Sequence, residues 1–166
     1  MKTQRINSDS IPTSKGTYLL FLSNTKSQKI NIGKQGDFLF PSGLLVYVGS
    51  ALGAGGLRGR ISHHLRVNRK CHWHIDYLLQ KMPVFQVLYS ENPSRLEHEW
   101  AMLLERIPEL NIPMKRFGAS DCQCASHLFH IPSKIKTINI ELKFKRIFKV
   151  NFCGEIHQML NEMNVH

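Results

Sequence analysis

Apolar residues in the first third of the chain gather into two bulky runs, residues 16–22 (GTYLLFL) and 44–49 (LLVYVG), each suited to a buried strand. Residues 1–14 are polar and rich in Ser and Thr, which reads as a flexible, frayed leader, so the fold is expected to begin near Lys15. Between the two runs, residues 23–27 supply a turn and residues 28–32 a returning strand, followed by punctuation at Gly33, Gly36 and Pro41-Ser42-Gly43. From Leu57 the period lengthens to about 3.6: Leu57, Ile61, His64 and Leu65 share one face of a helix entered from the flexible stretch Gly53-Ala54-Gly55-Gly56. A short helix is predicted over 74–81 and a strand over 84–89. Ser94-Arg95-Leu96-Glu97 has capping-box form, and Leu96, Trp100, Leu103, Leu104 and Ile107 make an apolar stripe that stops at Pro108. Residues 117–130 (FGASDCQCASHLFH) show no periodicity and are expected to be ordered by side-chain contacts. The basic tail from Pro132 allows a strand over 135–144 and a helix near 155–164.

Composition narrows the class. A chain of 166 residues can bury a core as one domain without disulfide staples. Its 22 Lys and Arg against 12 Asp and Glu give a formal charge of +10, a field that attracts polyanions such as nucleic acid or anionic lipid, although a merely basic protein shares it. No apolar run reaches the roughly 18 residues that span a bilayer, and residues 1–14 are too polar for a signal peptide, so a cytoplasmic protein without a membrane partner is expected. Cysteines at 71, 122, 124 and 153 do not form the pattern of a secreted disulfide framework, and free thiols are the default.

Gly16-Thr17-Tyr18, then Tyr47-Val48-Gly49-Ser50-Ala51, a glycine loop and Leu57-Arg58-Gly59-Arg60-Ile61-Ser62-x-His64 together resemble the two motifs of the GIY-YIG nuclease superfamily. In that superfamily the motifs lie on neighbouring antiparallel strands, followed by a helix with an invariant arginine and a later helix with a metal-binding glutamate. The same order recurs here over roughly residues 15–131. The strings His72-Trp73-His74-Ile75-Asp76-Tyr77 and Phe117-Gly118-Ala119-Ser120-Asp121-Cys122-x-Cys124-x-Ser126-His127-Leu128 resemble a branch that occurs alone or fused to an endonuclease III-type glycosylase. The resemblance implies an α+β fold, a small antiparallel or mixed sheet flanked by helices, over residues 15–131, with 132–166 as a basic extension. The stretch between Tyr18 and Tyr47 is longer than is usual there, which implies an added hairpin. The position after the second motif's glycine, often lysine in the repair nucleases, is Ser50, and the late asparagine has no clear counterpart.

Cleaving a phosphodiester needs an activated water, a cation on the nonbridging oxygen and stabilisation of developing charge. Arg60 lies at the edge of the helix stripe, one turn before His64, and both could face a groove between helix and sheet. His64 is either a phosphate or water ligand, as the resemblance implies, or a satisfied core histidine. Tyr47 is expected to help activate water once metal and arginine lower its proton affinity, and Tyr18 either shares that pocket or packs between strands. At about 100° per residue, Glu97 and Glu99 flank the apolar stripe of their helix while Glu105 points away. Because Glu97 has a competing use in the capping box with Ser94, Glu99 is the first choice for Mg²⁺ or Mn²⁺ and Glu97 the second. Arg58, Arg66, Arg69 and Lys70 form an expected phosphate-binding patch, or a solvated face. His72 and His74 are expected either to contact nucleic acid or to cap and pack the short helix. Cys122, Cys124 and His127 are ligand types suited to Zn²⁺, with His72 or His74 able to complete a set. Cys-x-Cys is tight for two ligands, however, and a hydrogen-bonded structural loop is the preferred reading. The expected activity is a metal-dependent DNA endonuclease, repair-associated, with a noncatalytic nucleic-acid-binding module as the alternative.

Overall fold

The computed structural model describes residues 8–67, 70–133 and 144 and the backbone of 151–153. In chain order the elements are β1 (Gly16–Asn24), β2 (Gln28–Asn31), β3 (Asp37–Phe40), β4 (Gly43–Ala51), α1 (Gly56–Leu65), α2 (His74–Leu79), β5 (Val84–Ser90), α3 (Glu97–Glu105), β6 (Leu128–Pro132) and β7 (Asn151–Cys153). The fold is α+β. One sheet runs β6-β4-β1-β5-β7, antiparallel at each pairing, and the β2–β3 hairpin inserted between the two signature strands forms a second sheet of its own.

The side-chain period of two sorts the apolar runs onto opposite faces of the main sheet. Tyr18, Leu20, Leu22, Leu45, Tyr47 and Val87 pack with Leu57, Ile61, Ile75 and Leu78 of α1 and α2. Leu19, Phe21, Val46, Val48 and Leu88 pack with Trp100, Ala101 and Leu104 of α3. Both faces are covered, which is why the strands read as continuous runs rather than as alternation.

Three expectations change. Residues 8–14 are not frayed: Ile11 is fully buried, and the carbonyls of Ser14 and Pro12 accept the N–H groups of Leu57 and Arg58 at 2.9 Å each. These are donors of the first turn of α1 that have no partner within the helix, so the leader caps it. The Ser94 capping box does not form, because the Ser94 N–H bonds Asn92 Oδ1 and the helix starts at Glu97, with Leu96 as its cap. The boundary at 131 is not an edge of the fold. Residues 128–132 pair with β4, Phe144 packs 5.6 Å from Phe21 in the second core, and β7 pairs with β5. The expected strand over 135–144, apart from Phe144, and the expected helix near 155–164 lie outside the described residues.

Candidate active site

The β1–β4 register sets Tyr18 opposite Gly49 and Leu20 opposite Tyr47, so the two tyrosines are diagonal neighbours on the α1 face. The signature glycines make room for close approaches. A Cβ at Gly49 would lie 2.5 Å from Tyr18 Cζ, and one at Gly16 would strike the Ser90 carbonyl of β5. Gly49→Ala is expected to expel the Tyr18 ring and cost about 1–3 kcal/mol, the usual range for overpacking a core. Thermal unfolding checks this, and an unchanged Tm would refute it.

Behind Tyr18 lies a buried chain of polar groups. Tyr18 Oη is 2.9 Å from His64 Nε2, and His64 Nδ1 is 3.3 Å from Asp76 Oδ1. The other Asp76 oxygen accepts the backbone N–H groups of His72 and Trp73, each at 2.9 Å, the latter being the carboxylate half of a capping box on α2. Asp76 is fully buried. Burial alone would raise its pKa, but the bonds from His64 and the two backbone N–H groups outweigh it and hold the carboxyl well below the ordinary range. His64 moves down, because burial disfavours the imidazolium more than Asp76 favours it. The ring is therefore neutral at neutral pH. Its Nδ1 must carry the proton to meet an ionised carboxylate, which leaves Nε2 bare to accept the Tyr18 hydroxyl.

The two open alternatives for these residues resolve into one arrangement. His64 is a core histidine, and it is also hydrogen-bonded on both nitrogens toward the pocket. At Tyr47, burial first and the Glu97 charge second push the hydroxyl up, and the opposing influence of Arg60 is smaller. The Tyr18 hydroxyl is also pushed well up, mainly by burial. Both stay protonated at neutral pH.

Tyr18, Tyr47, Ser50, Arg60, His64 and Glu97 line one open cavity of about 420 Å³. His72, Trp73, His74, Arg95 and Asp121 also line it. The Arg60 guanidinium lies 4.0 Å from the centre of the Trp73 ring, a cation–π contact. Among the described residues no carboxylate lies within 4.0 Å of it.

The glutamate at this cavity is Glu97. Its Oε2 accepts the Ser50 hydroxyl at 2.8 Å, and its Oε1 is 3.3 Å from His127 Nδ1, without hydrogen-bond alignment. Burial would raise its pKa, but His127, Ser50 and the nearby His98 prevail and keep it ionised. Glu99, the first choice from sequence, is exposed and does not line the cavity. The late start of α3 explains the reversal: without the capping box, the first-turn carboxylate is released toward Ser50. Glu105 is exposed, as expected.

The basic patch is also redistributed. Arg58 donates to the Ile11 and Asp9 carbonyls and so serves the leader. Arg66 and Lys70 are exposed beyond α1, and Arg69 lies outside the described residues. His74 Nδ1 accepts the Gly118 N–H at 3.3 Å and its ring packs on Phe117, whereas His72 is exposed at the cavity wall. Arg116 donates to the carbonyls of Cys122 and Cys124 at 2.5 and 3.1 Å, tying the loop together. Cys124 is pushed up to about 11 by burial and by its hydrogen bond with Cys122.

Sequence reading missed Asp76, Trp73 as the platform for Arg60, and Arg95. A carboxylate at the third position of a short helix signals a cap, and nothing local reveals that its second oxygen meets a histidine twelve residues earlier.

The molecule is thus an α+β domain with an open cavity lined by two tyrosines, an arginine, an ionised glutamate and the histidine of a histidine–aspartate pair. It belongs to the family described as Domain of unknown function DUF123, whose model matches residues 17–149 and so takes in every residue of the cavity. No curated protein and no solved structure matches the chain. Among the described residues no helix is long and apolar enough to cross a membrane.

Proposed function

We propose that this protein is a divalent-metal-dependent endonuclease that hydrolyses phosphodiester bonds in DNA, with repair as its setting. The observation that carries the reading is that the Asp76–His64–Tyr18 chain opens into the same cavity as Arg60 and Glu97. The resemblance of the Tyr18, Tyr47, Arg60 and His64 motifs to GIY-YIG nucleases supports it.

In this mechanism Tyr18 relays rather than ionises. As water attacks phosphorus, Tyr18 Oη takes the water's proton and passes its own to His64 Nε2, and Asp76 stabilises the imidazolium that forms. No free phenolate is needed, in keeping with the raised pKa of Tyr18. Arg60, held over the Trp73 ring, presents N–H donors to the nonbridging oxygens, and the protonated Tyr47 hydroxyl is a further donor. Glu97 and the Ser50 hydroxyl are oxygen donors at an open wall, a set that fits Mg²⁺ or Mn²⁺ held by one carboxylate, waters and substrate phosphate. When bound, such an ion supplies positive charge at the scissile phosphate. Arg66, Lys70 and Arg95 are exposed cations that this reading places against the flanking phosphates. Cys122 and Cys124 are not joined in a disulfide, in keeping with the cytoplasm as the setting we propose.

The direct test incubates the purified protein with labelled duplex, branched, damaged and single-stranded substrates in Mg²⁺ or Mn²⁺. Cleavage that stops on chelation is expected. Tight binding without cleavage of any substrate would instead favour a noncatalytic binding module, a reading to which the Ser50–Glu97 hydrogen bond lends weight. Binding would then fall steeply with salt and be unchanged by Glu97→Gln.

A further inference from the structure

On the far side of Glu97 from Ser50, three side chains of metal-binding type converge. His98 comes from the first turn of α3, and Cys122 and His127 come from the loop that leads into β6. One ligand atom from each lies within 4.8 Å of the others. Cys122 Sγ and His127 Nε2 are 3.4 Å apart. A tetrahedral Zn²⁺ with Zn–S of about 2.3 Å and Zn–N of about 2.0–2.1 Å places its S and N ligands about 3.5 Å apart. The pair is already at ligand-to-ligand spacing.

A second observation points the same way. His127 is 1% exposed, and its Nδ1 has no hydrogen-bond partner although it lies 3.3 Å from Glu97 Oε1. If Nε2 binds a metal, the proton must sit on Nδ1, directed at Glu97, and the arrangement becomes the carboxylate–histidine–metal relay common at zinc sites. The loop is also set in advance, because Arg116 grips the carbonyls of both Cys122 and Cys124.

We propose that His98, Cys122 and His127 bind one Zn²⁺, with water in the fourth position, and that this ion fixes His127 so that Glu97 faces the cavity. The ligand set differs from the one sequence suggested: His98 on α3 replaces Cys124, and His72 and His74 line the cavity instead. Zinc binding does not depend on the nuclease reading and is measured without nucleic acid. Its ligands span a helix and a distant loop, which explains why the spacing matches no zinc-finger pattern.

The test titrates Co²⁺, a spectroscopic substitute for Zn²⁺, into the purified full chain stripped of metal. A thiolate-to-cobalt charge-transfer band saturating at one equivalent, and bleached by Zn²⁺, is expected. Cys122→Ser should abolish the band, His98→Gln should weaken binding at least tenfold, and Cys124→Ser should leave both unchanged. His98 is half-buried at the start of α3, so His98→Gln remains informative if Cys122→Ser fails to fold. A folded wild type with no band would overturn the proposal. So would a band that survives Cys122→Ser, is lost in Cys124→Ser, or is equally tight in His98→Gln.

Discussion

Glu97→Gln is expected to slow single-turnover cleavage by about 10³-fold, while Glu99→Gln stays within about twofold of wild type, because of these two glutamates only Glu97 lines the cavity. The amide keeps the shape of the side chain and can still accept the Ser50 hydroxyl. What it lacks is the negative charge that holds a hard cation. Binding of the nucleic acid itself, driven by the basic residues, should change little. Equal losses in the two variants, or a larger loss for Glu99→Gln, would mean that the metal lies elsewhere.

Asp76→Asn should be nearly as damaging although Asp76 touches no substrate. An ionised carboxylate forces the proton onto His64 Nδ1 and leaves Nε2 free to accept from Tyr18. An asparagine can present its NH₂ group instead, which favours the opposite tautomer and blocks the relay. A fall of about 10²–10⁴-fold in rate is expected, the range for losing a positioned base or its tautomer. Stability should fall too, by about 2–3 kcal/mol at pH 7, for charge-assisted bonds from His64 and two backbone N–H groups. The pH dependence follows from sign. The folded pKa of Asp76 lies below its unfolded value, so its contribution is present above about pH 4 and is lost as pH falls further, toward the folded value. Urea unfolding at pH 7 and pH 3 should therefore show the gap between wild type and variant contracting at the lower pH. A gap that widened there would refute the assignment of an ionised, bonded Asp76.

The parts of this site legible in sequence are those carried by local pattern. The runs 16–22 and 44–49, the 3.6 period through Ile61 and His64, and the glycine loop ahead of them located two strands and a helix, and Tyr18, Tyr47, Arg60 and His64 do meet in one cavity. The choice between Glu97 and Glu99 was not legible. It turned on a helix starting two residues later than its capping signature implies, an outcome set by the Asn92–Ser94 turn and by Ser50 on a distant strand. Asp76 stayed hidden for a related reason: a cap residue and a relay residue look alike until α1 and α2 are packed together. The leader misled because composition records its polarity but not the N–H groups of α1 that it satisfies.

The central claim is that the Tyr18 hydroxyl, backed by His64 and Asp76, takes the proton from the attacking water. Tyr18→Phe removes one oxygen from a ring that otherwise keeps its place in the core, so folding can be confirmed alongside. Single-turnover cleavage by wild type and Tyr18→Phe, on the same substrate in Mg²⁺ or Mn²⁺, is the measurement. The account predicts a loss of at least about 10²-fold, with nucleic-acid affinity unchanged within a few-fold. Cleavage by Tyr18→Phe at the wild-type rate would contradict it.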